Sequence, residues 1–190
     1  MNKPIDISTV ILHTPRLKLR PWLQEDLDDF YEYASVEGVG QMAGWLPHKS
    51  KEESQRILNS FITHKKTFAL EYNGKVIGSL GIETYNEERF PELDALQGRS
   101  IGYVLSKDYW GHGLMPEAVQ AVTGYLFETE RLDFIHISHF VWNNQSRRVI
   151  QKSGFRPVKE TLHTTHYGTQ EPTLEYILYA ADWRDTHAAV

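Results

Sequence analysis

The 190-residue sequence contains no cysteine. A disulfide framework and a thiol nucleophile are thereby excluded, and no Gly-x-Ser-x-Gly elbow offers a serine in their place. No apolar run approaches the ~20 residues needed to cross a membrane. The opening stretch MNKPIDISTVILHTPRL lacks the apolar segment and small-residue cleavage site of a secretory leader, so a cytoplasmic protein without a membrane partner is expected. Positive charge is also short. The formal net charge of -5 argues against a grip on nucleic-acid phosphates and leaves small molecules, peptides or proteins as partners. Repeats, low-complexity tracts and Pro/Gly/Ser-rich linkers are missing too, so residues 8–184 are expected to form one domain.

What is present alternates strands with helices. Arg16-Leu17-Lys18-Leu19-Arg20 alternates with the period of a half-buried strand. Leu23, Leu27, Phe30, Tyr31 and Ala34 recur at helical spacing, with Glu25 and Asp26 near the start where the helix dipole favours acids. Ser50 followed by Glu53 predicts a capping box ahead of a second helix bearing Ile57, Leu58, Phe61 and Ile62. Phe68 to Tyr72, Asn73-Gly74 and Val76 to Ile82 read as a hairpin, because Asn-Gly suits the positive φ angles of a type I′ turn. The polar stretch Glu83 to Gly98 has no sustained periodicity and exceeds ordinary loop lengths, which suits either a solvated connection or a lid at a substrate rim. A strand over Arg99 to Ser106, a helix through Leu114, Ala118, Val122, Tyr125 and Leu126, and a strand over Phe134 to Val141 follow. A short helix from Asn143 to Phe155, ended by Gly154, and strands at Arg156 to Leu162 and Leu174 to Tyr179 complete the order β-α-α-β-β-β-α-β-α-β-β.

Between the Arg99 to Ser106 strand and the next helix stands YWGHGLMPEAV, with Gly111 and Gly113 one residue apart. The first amides of a helix have no intrahelical partner, and glycine lets a phosphate approach them closely. The turn therefore suits a phosphate-bearing ligand, or is simply a tight turn that uses glycine for its φ angles. A P-loop is excluded because no lysine follows Gly113, and a dinucleotide fingerprint because Pro116 occupies the third glycine position.

Three stretches carry a resemblance: TPRLKLRPW (Thr14 to Trp22), IGYVLSKDYWGHGLMPEAV (Ile101 to Val119) and VWNNQSRRVIQKSGF (Val141 to Phe155). In this order they resemble the GNAT superfamily of acyl-CoA-dependent N-acetyltransferases, and within it the ribosomal-protein N-terminal acetyltransferase branch. The resemblance implies an α+β fold with a mixed, mostly antiparallel sheet splayed in the middle and flanked by helices. It implies acetyl-CoA as co-substrate and a primary amine as acceptor, either a protein N-terminus or a small molecule, and it allows a homodimer. By the same resemblance Val104 and Leu105 pair with the pantetheine arm, while Gly111, His112, Gly113, Leu114 and Met115 hold the pyrophosphate. Met115 departs from the small residue that the pattern prefers. Asn143 and Ser146 correspond to the Asn-x-x-Ser signature, Asn143 at the pantetheine amides and Ser146 near the thioester sulfur as the acid. Arg147, Arg148 and Lys152 either meet the phosphates or coat their helix.

The amine has to be neutral before it attacks, so a proton acceptor is needed near the transfer point. Many members of the superfamily have a glutamate just before the Ile-Gly-Tyr run, but Ser100 stands there. The branch resemblance brings His166 to or near the position of another glutamate, and an imidazole suits the role. Glu83, at a strand end beside the long loop, is the second candidate. No metal is expected. His136 and His139 point to opposite faces of one strand, His163 and His166 do so if they share a strand, and no HExxH motif exists. The rival readings are an acyl-CoA-binding module of the same fold without transferase activity, and a phosphate- or nucleotide-binding protein without CoA preference. Trp45, Phe90 and Trp142 are expected to line a pocket or pack a core.

Overall fold

The computed structural model describes residues 1–187. Its strands are Leu12–His13 (β1), Lys18–Pro21 (β2), Thr67–Tyr72 (β3), Lys75–Glu83 (β4), Gly98–Leu105 (β5), Phe134–Phe140 (β6), Arg156–Thr164 (β7) and Gln170–Tyr179 (β8). Its helices are Leu27–Ala34 (α1), Lys51–His64 (α2), Leu114–Glu128 (α3), Asn144–Lys152 (α4) and Ala180–His187 (α5). The strands form one sheet in the order β1-β2-β3-β4-β5-β6-β8-β7, antiparallel except where β5 meets β6.

Strand alternation sends side chains to two layers. Phe68, Leu70, Ile77 and Leu80 join Leu114, Ala118, Val122 and Leu126 of α3 in the main core. Their neighbours Ala69 and Val76 face the other way, onto Phe30 and Tyr33 of α1 and Leu58 of α2. Each fully buried large apolar side chain contributes about 1.5–3 kcal/mol relative to exposure, which is what holds the helices to the sheet. The hairpin between β3 and β4 turns on Asn73 at φ 51° and Gly74 at φ 81°, the two positive angles a type I′ turn requires. At the start of α2 the Ser50 side chain accepts from the Glu53 amide at 3.3 Å, but the Glu53 carboxylate takes the amide of Lys49 at 2.7 Å, one residue before the capping-box position.

The sheet is joined in the middle by a short seam. The β5 and β6 strands pair only at Gly98↔Phe134, Arg99↔Ile135 and Ser100↔His136. Beyond that point β5 stays with β4 as far as Leu105, and β6 stays with β8 as far as Phe140. Residues 101–105 and 137–140 therefore diverge as the walls of a wedge. Gly98 permits the close approach at the closed end of the seam, because a Cβ there would lie 2.3 Å from the Phe134 ring.

The stretch 84–97 keeps its acids Glu87, Glu88, Glu92 and Asp94 in solvent, as a solvated connection does, but its apolar residues anchor it to the sheet. Two 3-10 turns, Glu87–Arg89 and Pro91–Leu93, bury Tyr85, Phe90 and Leu93 against Phe134 and Ile177. Phe90 is thus core. Two elements escaped the sequence pattern: β1, with only two residues, and α5, a single short helix. The β8 strand also starts four residues earlier than expected, because residues 170–172 pair with β7, and Pro172 is tolerated there since it lies just past the last β6 pair, Phe140↔Thr173.

Candidate active site

The turn after β5 has the geometry of an anion cradle. Gly111 and Gly113 lie at φ 81° and 75°, and no described atom comes within 4 Å of a Cβ built on Gly111. Gly113 caps α3 with no side-chain acceptor, and Pro116 has no N–H to satisfy in the first turn. The amino end of the helix is therefore accessible to a phosphate. Arg16, which sequence reasoning left in a strand, reaches across to it. Its Nη1 donates to the His112 carbonyl at 2.8 Å, and its Nε donates to Glu117 at 2.7 Å, which neutralises the one acid in that first turn. Burial pushes the Glu117 carboxyl up, but hydrogen bonds from Thr14 and Arg16 outweigh it and hold the group below its ordinary value.

A cavity of about 330 Å³ runs from this turn into the wedge, lined by Tyr103, Val104, Leu105, Asn143, Ser146 and Lys152 among others. The volume lies within the range of ligand sites. Arg148 lines it as well, whereas Arg147 is not among its walls. Gly111, Gly113, Leu114 and Met115 border the cavity, and Leu114 and Met115 are at the same time buried in the main core. The His112 side chain is exposed. At Leu105 the carbonyl already accepts from the Trp110 indole at 2.8 Å.

Two hydroxyls meet at the cavity wall. Ser146 Oγ and Tyr103 Oη are 2.9 Å apart, and burial raises the Tyr103 phenol well above its usual value, so it stays protonated. The sequence singled out Ser146 but not Tyr103, because nothing in the spacing shows that a strand residue and a helix residue 43 positions apart converge. Asn143 caps α4 by accepting the Ser146 amide at 3.0 Å, and its Nδ2 donates to the Met42 carbonyl at 3.2 Å.

A second, wider cleft of about 860 Å³ meets the first at Tyr103 and Val104. Trp45, Phe61, Glu53, Glu83, His166 and Tyr167 line it. His166 is exposed in the turn between β7 and β8, where its amide donates to the Gly44 carbonyl at 2.8 Å. Glu83 pairs with Lys66. The structure thus brings His166 and Glu83 to one cleft and Ser146 to the other. Trp142 belongs to neither set of walls. It stacks on Phe140 and donates to Glu171 at 3.0 Å.

Ser100 lies at the wedge apex and is not isolated. Its Oγ is 2.9 Å from His136 Nδ1, and His136 Nε2 is 2.7 Å from Glu175 Oε2. Thr161 donates to the other Glu175 oxygen. Burial raises the Glu175 carboxyl, but the hydrogen bonds from His136 and Thr161 outweigh it, leaving the group below its ordinary value. In the sequence His136 was weighed only as a metal ligand, and Glu175 carried no signal.

Residues 16–156 match the family model described as the acetyltransferase (GNAT) domain. An uncharacterized N-acetyltransferase, p20, of Bacillus licheniformis is 26% identical over 153 residues, 76% of this chain and 82% of that one. The solved GNAT-family acetyltransferase of Bacillus anthracis superposes with a TM-score of 0.78 at 21% identity, over 90% of this chain and 99% of its own. The ribosomal-protein-S5-alanine acetyltransferase of Vibrio fischeri does so with a TM-score of 0.70 at 20% identity, over 92% and 98%. With its splayed mixed sheet and a family match over most of its length, the chain belongs to the GNAT family of N-acetyltransferases.

Proposed function

We propose that the protein transfers an acetyl group from acetyl-CoA directly to a primary amine, with a protein amino terminus of the ribosomal-protein type as the first acceptor class and a small-molecule amine as the second. The observation that carries this reading is the wedge between β5 and β6, with a glycine cradle at its open end and a separate wide cleft meeting it at Tyr103 and Val104. The name of the Vibrio fischeri structural neighbour supports the first acceptor class.

When bound, acetyl-CoA supplies an acyl group activated as a thioester. The amides of Gly111, His112, Gly113, Leu114 and Met115, with the α3 dipole, would hold its pyrophosphate, and Arg148 and Lys152 add charge. Val104, whose backbone pairs with Ser79 of β4, would border the pantetheine arm without bonding it, contrary to the pairing that the resemblance implies. Leu105 would offer its N–H, since Trp110 takes its carbonyl. Asn143 fixes the first turn of α4 and keeps a second amide hydrogen for the same arm. Ser146 and Tyr103 supply hydroxyl donors to the departing thiolate, whose conjugate acid has an ordinary pKa of ~8.5. At the second cleft, Glu83 and Glu53 attract the ammonium form of the acceptor, and His166 accepts the proton that leaves it neutral.

Thiol release from acetyl-CoA, measured with peptides beginning in alanine or serine and with alkyl diamines, tests the reading. The expected product is an acceptor heavier by one acetyl group. Binding of acetyl-CoA with no acetylated amine from any probe would leave a binding module instead.

A further inference from the structure

We propose that Ser100, His136 and Glu175 form a proton relay at the wedge apex that takes the proton from the attacking amine nitrogen. The inference rests on the transferase reading above and adds the group that acts during bond formation.

The face of β5 that bears Ser100 also bears Gly102 and Val104, and these last two line the acceptor cleft together with their β4 partners Gly81 and Ser79. Ser100 is the next residue along that face, opposite Glu83. It is half-buried, whereas His136 and Glu175 are 7% and 3% exposed. The hydroxyl is therefore the cleft-side end of a chain whose other members are shut away from water.

The polarity of the chain follows from its partners. An ionised carboxylate only accepts, so His136 Nε2–H donates to Glu175 and Nδ1 accepts from the Ser100 hydroxyl. As the amine nitrogen forms its bond to the acyl carbon, it passes a proton to Ser100 Oγ. Ser100 passes its own to His136 Nδ1, and the imidazolium is stabilised by Glu175. As the C–S bond breaks, the thiolate takes its proton from the Ser146–Tyr103 pair; the pair then regains one proton from solvent and the imidazolium gives one back to it. Protons and charge balance without another reactant. Ser100 is the catalytic residue, and His136 and Glu175 act through it.

The charged and titratable groups around His136 come from several elements. Glu175 approaches from β8, and Thr161 bonds it from β7. Arg89 of the 3-10 turn lies 3.4 Å from Glu175, and Phe90, under Lys159, stands edge-on to the imidazole. Glu83 is across β4.

The test uses whichever of the alanine peptide, serine peptide or diamine the wild type acetylates fastest, with acetyl-CoA affinity measured separately by calorimetry. Ser100→Ala is expected to lower kcat/KM by ~10²–10⁴-fold with acetyl-CoA affinity unchanged, and Ser100→Thr to retain most of the rate. His136→Gln is expected to remove one of two imidazole-like contributions to the rise of rate with pH, the other belonging to His166. Glu175→Gln is expected to move that rise to lower pH, because the imidazolium loses its counter-charge, a shift that a merely structural role does not produce. Ser100→Ala with wild-type rate and pH profile overturns the relay, as does loss of the acid limb in His166→Gln alone, or an acetyl adduct on Ser100 in the intact mass. If His136→Gln fails to fold, the serine variants still decide. A wild type that acetylates none of the probes overturns the transferase reading itself, which is distinguishable because no variant is then involved.

Discussion

Gly111 and Gly74 form a matched pair for testing the phosphate cradle. Both lie at φ 81°, and no described atom lies within 4 Å of a Cβ built on either. Replacing each with alanine forces a side chain into the left-handed region at a cost of roughly 1–2 kcal/mol, so the two losses of stability are expected to be equal. For a chain of this size that is a fall in Tm of roughly 2–8 °C in each variant. The affinities should part. Gly74 turns the β3–β4 hairpin, whereas the methyl group of Gly111→Ala enters the space from which a phosphate meets the turn amides. Losing one charge-assisted hydrogen bond there, about 1.5–3 kcal/mol, raises the Kd for acetyl-CoA roughly 10- to 100-fold. Scanning fluorimetry reads the first quantity and isothermal calorimetry the second. If the two variants bind acetyl-CoA equally well, the turn is only a turn.

At the hydroxyl pair, Ser146→Ala and Tyr103→Phe are each expected to lower kcat by ~10- to 1,000-fold with little change in acetyl-CoA affinity. The double variant should lose less than the product, because the two groups share one 2.9 Å bond. Independent, multiplying losses would separate them. Burial lowers the pKa of His48 and His139, so the unfolded chain takes up protons near pH ~6.5 that the folded chain refuses, and Tm is expected to fall as pH drops below that value. Glu175, whose folded pKa is depressed, keeps its contribution above the ordinary ~4.5 and loses it as pH falls through the folded value, a second and lower step. Tm measured from pH 8 to 3 checks both, and a flat profile above pH 5 would contradict the burial argument.

Local chemistry made most of the architecture readable. Asn73-Gly74 announces its hairpin through φ angles, and Leu114, Ala118 and Val122 announce α3 through their spacing. The left-handed glycine turn ahead of α3 was legible for the same reason, since it depends on residues adjacent in the chain. What stayed hidden depends on convergence. Ser100, His136 and Glu175 come from three strands, and Tyr103 finds Ser146 across the wedge. Polarity also misled. The acids and arginine of residues 84–97 obscured the fact that Tyr85, Phe90 and Leu93 are spaced to pack inward, while Arg89 reaches Glu175 and the Leu162 carbonyl.

The three-pair seam also divides the molecule in time. One wall of the wedge is finished when Leu105 leaves the ribosome, but the other is drawn entirely from residues 134–140 and the β8 partner that stabilises them. At ~5–20 residues per second, several seconds of synthesis separate the two walls, during which β5 is an unpaired edge. The cofactor cleft is consequently among the last features to form. A ribosome-bound fragment ending before β8 has the glycine turn but no wedge to lead a ligand into, so acetyl-CoA is expected to bind only once β8 has been made.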